Sequence, residues 1–343
     1  MSANAASILA HLPGDAGLFA VVKANGYGHG AVQVARAALE GGATVLAVAT
    51  LEEADQLRGL ASEDRILVMG ALPPPLAPAA AASGFAFTVS SLEFARALDD
   101  QGGVVPVHLK IDTGMGRFGC APEDAPALAS FIEKAPGLRL AGTMTHFASA
   151  DSDEAMTRNQ YDRFIGALGA LNVDPGIRHA CNSAGARRFP EFALDAVRSG
   201  IGLYGCEWQG HRPALAFRSV VTHVKTLDVG DTVGYGATWR ATSKARVAVV
   251  AAGYADGVDR ARSNRGYVLV RERRAPLVGV VSMDATTIDV SSIPGVQMGD
   301  VVTLIGDDGD ESITAEQVAE WSGTISWDVL TSLGPRVERR YSE

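Results

Sequence analysis

The stretch GLFAVVKANGYGHGAVQVARAALE, residues 17–40, decides the fold. Its opening, GLFAVVK, is a continuous apolar run without polar alternation, as expected of a strand buried on both faces in a parallel sheet. Its close, AVQVARAALE, repeats apolar residues at three and four positions, the period of a helix with one buried face. Glycines and Asn25 separate the two. A strand, a turn and a covering helix are the recurring element of an α/β protein.

Working outward, the same pattern repeats. Apolar runs near residues 44–50, 65–71, 85–90, 105–112, 138–147, 178–182 and 194–199 alternate with helical runs such as SLEFARALDD and QYDRFIGALGAL. With 17–23 these make eight candidate strands, and eight strand-helix units close into a TIM-type (β/α)8 barrel. From about Leu215 the texture changes to VVTHVKTL, ARVAVVAAGY, YVLVRE, PLVGVVSM and DVVTLIG, punctuated by VGD and MGD turns. The expected organisation is a barrel over residues 1–213 followed by a mainly β domain over 214–343.

Composition narrows the function. The 343 residues are 47% hydrophobic and 20% charged, which describes a folded chain rather than a disordered one. A net charge of -9 argues against a phosphate-backbone binder, so nucleic acid is not the expected partner. Cys120, Cys181 and Cys206 form no C-x-x-C pair, and no H-E-x-x-H spacing occurs, so neither a disulfide scaffold nor a catalytic metal is expected. No basic residue precedes Lys23, and the most apolar run, near 71–87, is broken by Pro73, Pro74, Pro75 and Pro78. A cytoplasmic protein with neither secretion signal nor membrane span is expected.

In a parallel barrel, reactive groups gather at the carboxyl ends of the strands. Lys23 ends the first run, where lost hydration would lower its pKa and suit it to Schiff-base chemistry. A strand-end lysine can equally snorkel to solvent, so position alone does not decide its role. GMGRFG (114–119) and GIGLYG (200–205) both fit the dinucleotide pattern G-x-G-x-x-G, but neither opens a β-α-β unit with an acidic partner clearly placed. The second run follows the eighth strand, while Asn182 and Ser183 follow the seventh, where barrels often bind phosphate through backbone N–H groups and a hydroxyl. These glycines could also serve only a tight bend. Arg198 points to the same mouth and could bind an anion or donate to a ring nitrogen. His146 is a candidate acid or base, or a packing residue.

Taken in order, VVKANGYGHG, HLKIDTGMGRFG, MTHFASAD, RHACNSAG, VRSGIGLYG, VGYGATW, GYADGVDR and VSMD resemble the motif series of alanine racemases, spanning residues 19 to about 284. The resemblance implies a pyridoxal 5'-phosphate barrel followed by a β domain, acting on alanine. It implies that Lys23 carries the cofactor, that Tyr27, Ser183, Gly200 and Ile201 hold its phosphate beside Asn182, that Arg198 faces the ring nitrogen and that His146 lies against the ring. Arg117 and the Met283 backbone would bind the substrate carboxylate region. Racemisation needs proton carriers on two faces of the α-carbon, and the resemblance assigns these to Lys23 and to Tyr235 reaching in from a second subunit of a homodimer. The family's lysine at the position of Lys110 is open to carbamylation, which would orient Arg117.

Departures from the family accompany the match. The leading strand that relatives often contribute to the β domain looks absent or shortened. Leu333 stands about where some relatives place a phosphate-binding tyrosine, and Val280 replaces an arginine lining the approach in some. Besides an alanine racemase supplying D-alanine for cell-wall synthesis, two readings stay open: a noncatalytic carrier of the same cofactor, which needs no Tyr235, and an amino-acid decarboxylase.

Overall fold

The computed structural model describes residues 1–342, and the chain forms two units, Met1–Arg212 and Pro213–Glu343. In the first, eight parallel strands pair in chain order: β1 (Gly17–Val21), β2 (Val45–Val48), β3 (Ile66–Val68), β4 (Ala86–Val89), β5 (Val105–Lys110), β6 (Leu138–Met144), β7 (Ile177–His179) and β8 (Ala196–Ser199). β8 returns beside β1, with Gly17 opposite Ala196 and Ala20 opposite Ser199, and closes the barrel. The expected (β/α)8 fold is the observed one.

Every residue of β4 and β5 is buried, because barrel strands have side chains inside and helices outside. Phe19, Leu67, Ala86 and Ala196 pack in one apolar cluster across four strands. The helical periodicity matches Ala31–Glu40, Leu92–Asp99 and Glu154–Ala170. Side-chain caps start two of them: Ser91 accepts from the Phe94 amide and Asp153 from the Met156 amide. A helix not anticipated from the sequence, Ser2–His11, precedes β1. Its buried Asn4 donates to the carbonyls of Leu203 at 3.1 Å and Arg212 at 2.9 Å, tying this helix to the chain beyond β8.

The second unit contains β9 (Phe217–Leu227), β10 (Thr232–Val233), β11 (Trp239–Arg240), β12 (Ala245–Val250), β13 (Tyr267–Val270), β14 (Arg273–Pro276), β15 (Thr286–Asp289), β16 (Val301–Asp308) and β17 (Glu311–Ile313). An antiparallel sheet runs β14-β13-β16-β9-β12-β15, with β17 on β16, while β10 and β11 pair separately. Leu227, Val233, Ala245, Val247 and Val278 form a core cluster. Two helices, Ala315–Ser322 and Ser326–Thr331, follow. The segment PLVGVVSM departs from its strand expectation: only Pro276 belongs to a strand, and Leu277 makes one isolated bridge to Ile288. The chain turns instead at Gly279, whose φ of 77° breaks a pleated course. Among the described residues, no helix is long and apolar enough to cross a membrane.

One close approach inside the barrel fixes a residue type. A Cβ on Gly142 in β6 would lie 2.5 Å from His108 Nδ1 and 2.7 Å from the Ile177 carbonyl oxygen. Gly142→Ala is therefore expected to cost about 1–3 kcal/mol through overpacking, measured by urea unfolding; unchanged stability would show that β5 and β7 yield freely at this point.

Candidate active site

The strand ends of the first unit bring the expected side chains to one mouth. β1 stops at Val21, two residues short of the expected end, and Lys23 opens a turn rather than closing a strand. Residues Ala24, Asn25, Gly26, Tyr27 and Gly28 all have φ between 50° and 79°, a left-handed turn. Each non-glycine residue in that conformation costs roughly 1–2 kcal/mol, less for Asn, so hydrogen bonds must hold it. Within the turn, Gly26 N–H donates to the Val22 carbonyl and Gly28 N–H to that of Ala24. The Asn25 side chain then accepts from Ala31 N–H at 3.0 Å and leads into the first covering helix.

The turn aims Tyr27 at the seam between β1 and β8. Its ring stacks on Tyr204 with centroids 4.7 Å apart, and the Tyr204 hydroxyl donates to the Val21 carbonyl at 3.0 Å. Burial pushes the Tyr27 phenol up to about 12, so it stays a neutral donor. Gly200 permits its approach: a Cβ there would lie 2.5 Å from the Tyr27 hydroxyl oxygen. From the other side, Ser183 Oγ accepts from Gly200 N–H at 3.0 Å and Gly202 N–H at 3.3 Å, and shares a hydrogen bond with Ser199 Oγ. Asn182 supports this hydroxyl by capping the helix Ser183–Arg188, accepting from Gly185 N–H at 2.9 Å. Ile201 is buried within the same turn.

Arg198 lies buried beneath this cradle. One terminal nitrogen donates to His179 Nδ1 and the His179 carbonyl, both at 2.8 Å. The other reaches the carbonyls of Thr145 and Ala180 and, at 3.2 Å, His146 Nδ1. Burial lowers the guanidinium pKa to about 10, which still leaves it charged at neutral pH. Burial first, then Arg198, holds both His146 and His179 well below the ordinary histidine range, so both are neutral acceptors at Nδ1 with their proton on Nε2. His179 Nε2 continues to His108 Nδ1 at 2.8 Å, completing a buried chain from Arg198 to β5.

Positive charge accumulates at the mouth. The Lys23 pKa is lowered by burial and then by Arg117, with Glu53 opposing them. Lys110 is 1% exposed, its Nζ has no hydrogen-bond partner, and it sits 4.7 Å above the Phe118 ring. Burial above all, with Arg198 and Arg117 nearby, brings its pKa down to about 8. Arg117 is exposed on the loop after β5. Asp112 shapes that loop by accepting from the amides of Gly114, Met115 and Gly116. Burial would raise the Asp112 carboxyl, but these amides outweigh it and hold it low. The first glycine-rich run thus spends three amides on its own aspartate, which leaves it unlike a dinucleotide cradle.

Tyr235 and Met283 belong to the second unit. Tyr235 follows Gly234 between β10 and β11 and is 72% exposed; Met283 is 51% exposed. The Met283 carbonyl accepts from Ala255 N–H at 3.0 Å, and Arg336 bridges Asp256 and Asp284 beside it. Leu333 is buried against Gly257, and Val280 backs onto Gly234. Sequence reasoning passed over His108, His179 and Glu53. His108 and Lys110 alternate on one face of β5, a readable period-two signal; the reach of Glu53 across to another strand's turn was not readable.

A buried guanidinium, two lysines, an exposed arginine and a hydroxyl-amide cradle make a site built for a phosphorylated, anionic ligand held against an amine. This defines the chain as a barrel enzyme of that class, and comparison with known proteins makes it specific. The family profile described as alanine racemase, N-terminal domain, matches residues 1–207, and that of the C-terminal domain matches residues 214–341. The alanine racemase of Sorangium cellulosum is 40% identical, covering 95% of this chain and 92% of that protein. The crystal structure of the E. faecalis alanine racemase superposes with a TM-score of 0.92 at 36% identity, covering 98% and 94% of the two chains. That of the Bacillus anthracis enzyme with bound L-Ala-P gives 0.89 at 38% identity, covering 98% and 91%. The chain belongs to the alanine racemase family. The family is pyridoxal-phosphate-dependent, and the mouth fits that group: Lys23, Lys110, Arg117 and Arg198 outnumber the opposing carboxylates of Glu53 and Asp112, and the Gly200 cradle has no room for a Cβ.

Two outcomes follow from this geometry. Gly200→Ala should displace the Tyr27 ring and weaken pyridoxal phosphate binding about 10- to 100-fold, read by absorbance titration; undiminished affinity would detach Tyr27 and Gly200 from the phosphate. In carbon-dioxide-free buffer, the native state binds fewer protons than the unfolded chain between pH about 8 and the ordinary lysine value of 10.5, because buried Lys110 deprotonates first. Unfolding free energy should therefore rise through that window, and Lys110→Met should remove that rise; urea unfolding of both proteins across the window checks it.

Proposed function

We propose that this chain is an alanine racemase that interconverts L- and D-alanine with pyridoxal 5'-phosphate, by proton transfer on two faces of the α-carbon. The carrying observation is the meeting of Lys23, Tyr27, Ser183, Arg198 and Gly200 at one barrel mouth, in a chain whose two parts both match the family. Lys23 would tether the cofactor. Tyr27, Ser183, Gly200 and Ile201 would hold its phosphate, with Asn182 supporting Ser183. Arg198 would meet the ring nitrogen and His146 the ring face. When bound, the cofactor withdraws electrons from the substrate α-carbon and acidifies its C–H.

The residues of this chain then do the proton work. Burial and Arg117 favour the neutral Lys23 amine, which can accept the α-proton on one face. Tyr235 of the partner subunit would serve the opposite face, so the second unit contributes to its neighbour's site and the working form is a homodimer. Arg198 keeps its charge and is held by five acceptors, so facing the ring nitrogen it would donate a hydrogen bond without giving up its proton. Arg117 and the Met283 backbone would bind the substrate carboxylate region.

Lys110 fits the expected carbamate. A neutral amine adds carbon dioxide by forming an N–C bond and releasing a proton, and the product would replace an unpaired cation by an anion beside Arg117 and Arg198. In the cell, the reading is a cytoplasmic enzyme supplying D-alanine for peptidoglycan. Neither a noncatalytic carrier nor a decarboxylase gains support from any observation of this chain.

Incubating the enzyme with L-alanine in deuterium oxide tests reaction type directly: D-alanine with solvent deuterium at the α-carbon is expected, whereas released carbon dioxide or no exchange would overturn the reading. Tyr235→Phe should lower racemisation about 100- to 10,000-fold while cofactor binding persists. Unchanged rates in both directions would remove Tyr235 from the reaction.

A further inference from the structure

Glu53 has no part in the site as described, yet its carboxylate is placed with care. It lies in the short helix Leu51–Asp55 after β2, where Thr50 and Glu53 form a reciprocal cap. That cap requires only the Thr50 N–H, which is the longest of the carboxylate's bonds at 3.4 Å. The shorter two go elsewhere: Oε1 accepts from Ala24 N–H at 2.7 Å and Oε2 from Ala49 N–H at 2.8 Å. The geometry favours the link between β2 and the left-handed turn over the cap itself.

Ala24 immediately follows Lys23, and its amide stands outside the turn's own ladder, which begins with Gly26 N–H donating to Val22. On the other side of Lys23, Val22 N–H donates to the Ala47 carbonyl of β2 at 2.9 Å. Both neighbours of Lys23 are therefore pinned to β2 and its outgoing bend, one by a backbone bond and one by Glu53. Charge-assisted bonds of this kind are about twice as strong as neutral ones. Without the second pin, Lys23 would hang from a turn of residues whose conformation is intrinsically unfavourable.

We infer that Glu53 is a positioning residue: by clamping the Ala24 amide to the end of β2, it fixes where the Lys23 amine takes and returns its proton. The inference rests on Lys23 being the amine that carries the cofactor. It concerns rate more than substrate affinity, because the clamp holds the proton carrier and not the groups expected to bind the substrate. It also gives the carboxylate a second consequence, since Glu53 opposes Arg117 in setting the charge of Lys23.

The test compares Glu53→Gln with Thr50→Ala, which loses the cap but keeps the clamp. Kinetics of the holoenzyme are paired with the pH dependence of borohydride trapping of cofactor on Lys23, read by peptide mass spectrometry. Glu53→Gln should lower kcat about 10- to 100-fold, with KM changed by less than about 3-fold. Its trapping midpoint should fall, because an opposing charge has been removed. Thr50→Ala should keep both values near those of the wild type. Should Glu53→Gln not fold, Glu53→Asp carries the kinetic arm, because it shortens the reach by one methylene while keeping the charge: kcat should fall and the midpoint should hold. Equal losses in Thr50→Ala, or unchanged kcat and midpoint in the Glu53 variant, would overturn the inference. Failure to trap cofactor on Lys23 in the wild type would instead sink the underlying assignment.

Discussion

The pairing of β8 with β1 is the constraint on which the rest of the first unit depends. It places Phe19 opposite Arg198 and Ala20 opposite Ser199, so the two chain ends of the barrel share one register. From that register follow the approach of Tyr27 to Gly200, the Ser183 hydroxyl against the Gly200 amide, and the position of Arg198 beneath both. A one-residue slip would turn every side chain of β8 to the opposite face and carry Arg198 away from its acceptors.

Electrostatics explain why so costly a mouth persists. Burying a guanidinium is expensive unless its donors are satisfied, and Arg198 meets three carbonyls and two imidazole nitrogens. The price is that both imidazoles must remain neutral, which burial and then Arg198 enforce. Lys110 has no such partners. Of these two buried cations of the barrel, Arg198 is thus fully accommodated and Lys110 is not.

Most of the barrel was legible because parallel strands read as unbroken apolar runs and their helices as three-and-four repeats. All eight strands lie where those runs fall. PLVGVVSM misled because an apolar composition does not reveal that Gly279 turns left-handed. The mouth was legible only through its motif order: taken singly, Lys23, Arg198 and His146 each had a bland reading. His179 sat unremarked inside RHACNSAG, and Glu53 looked like half of a helix cap. A side chain that serves two strands leaves no period in the sequence, so its second partner emerges only in three dimensions.

The seam also orders events during synthesis. The lysine-bearing turn leaves the ribosome early, but the Ser183 hydroxyl, Arg198 and Gly200 come from the last stretch of the barrel. Until β8 docks, the turn that bears Lys23 and Tyr27 lacks the Ser183, Gly200 and Arg198 side of the cradle. On the proposed assignment, cofactor capture would therefore be a late event that reports completion of the barrel, and bound cofactor would mark properly closed chains among incompletely folded ones.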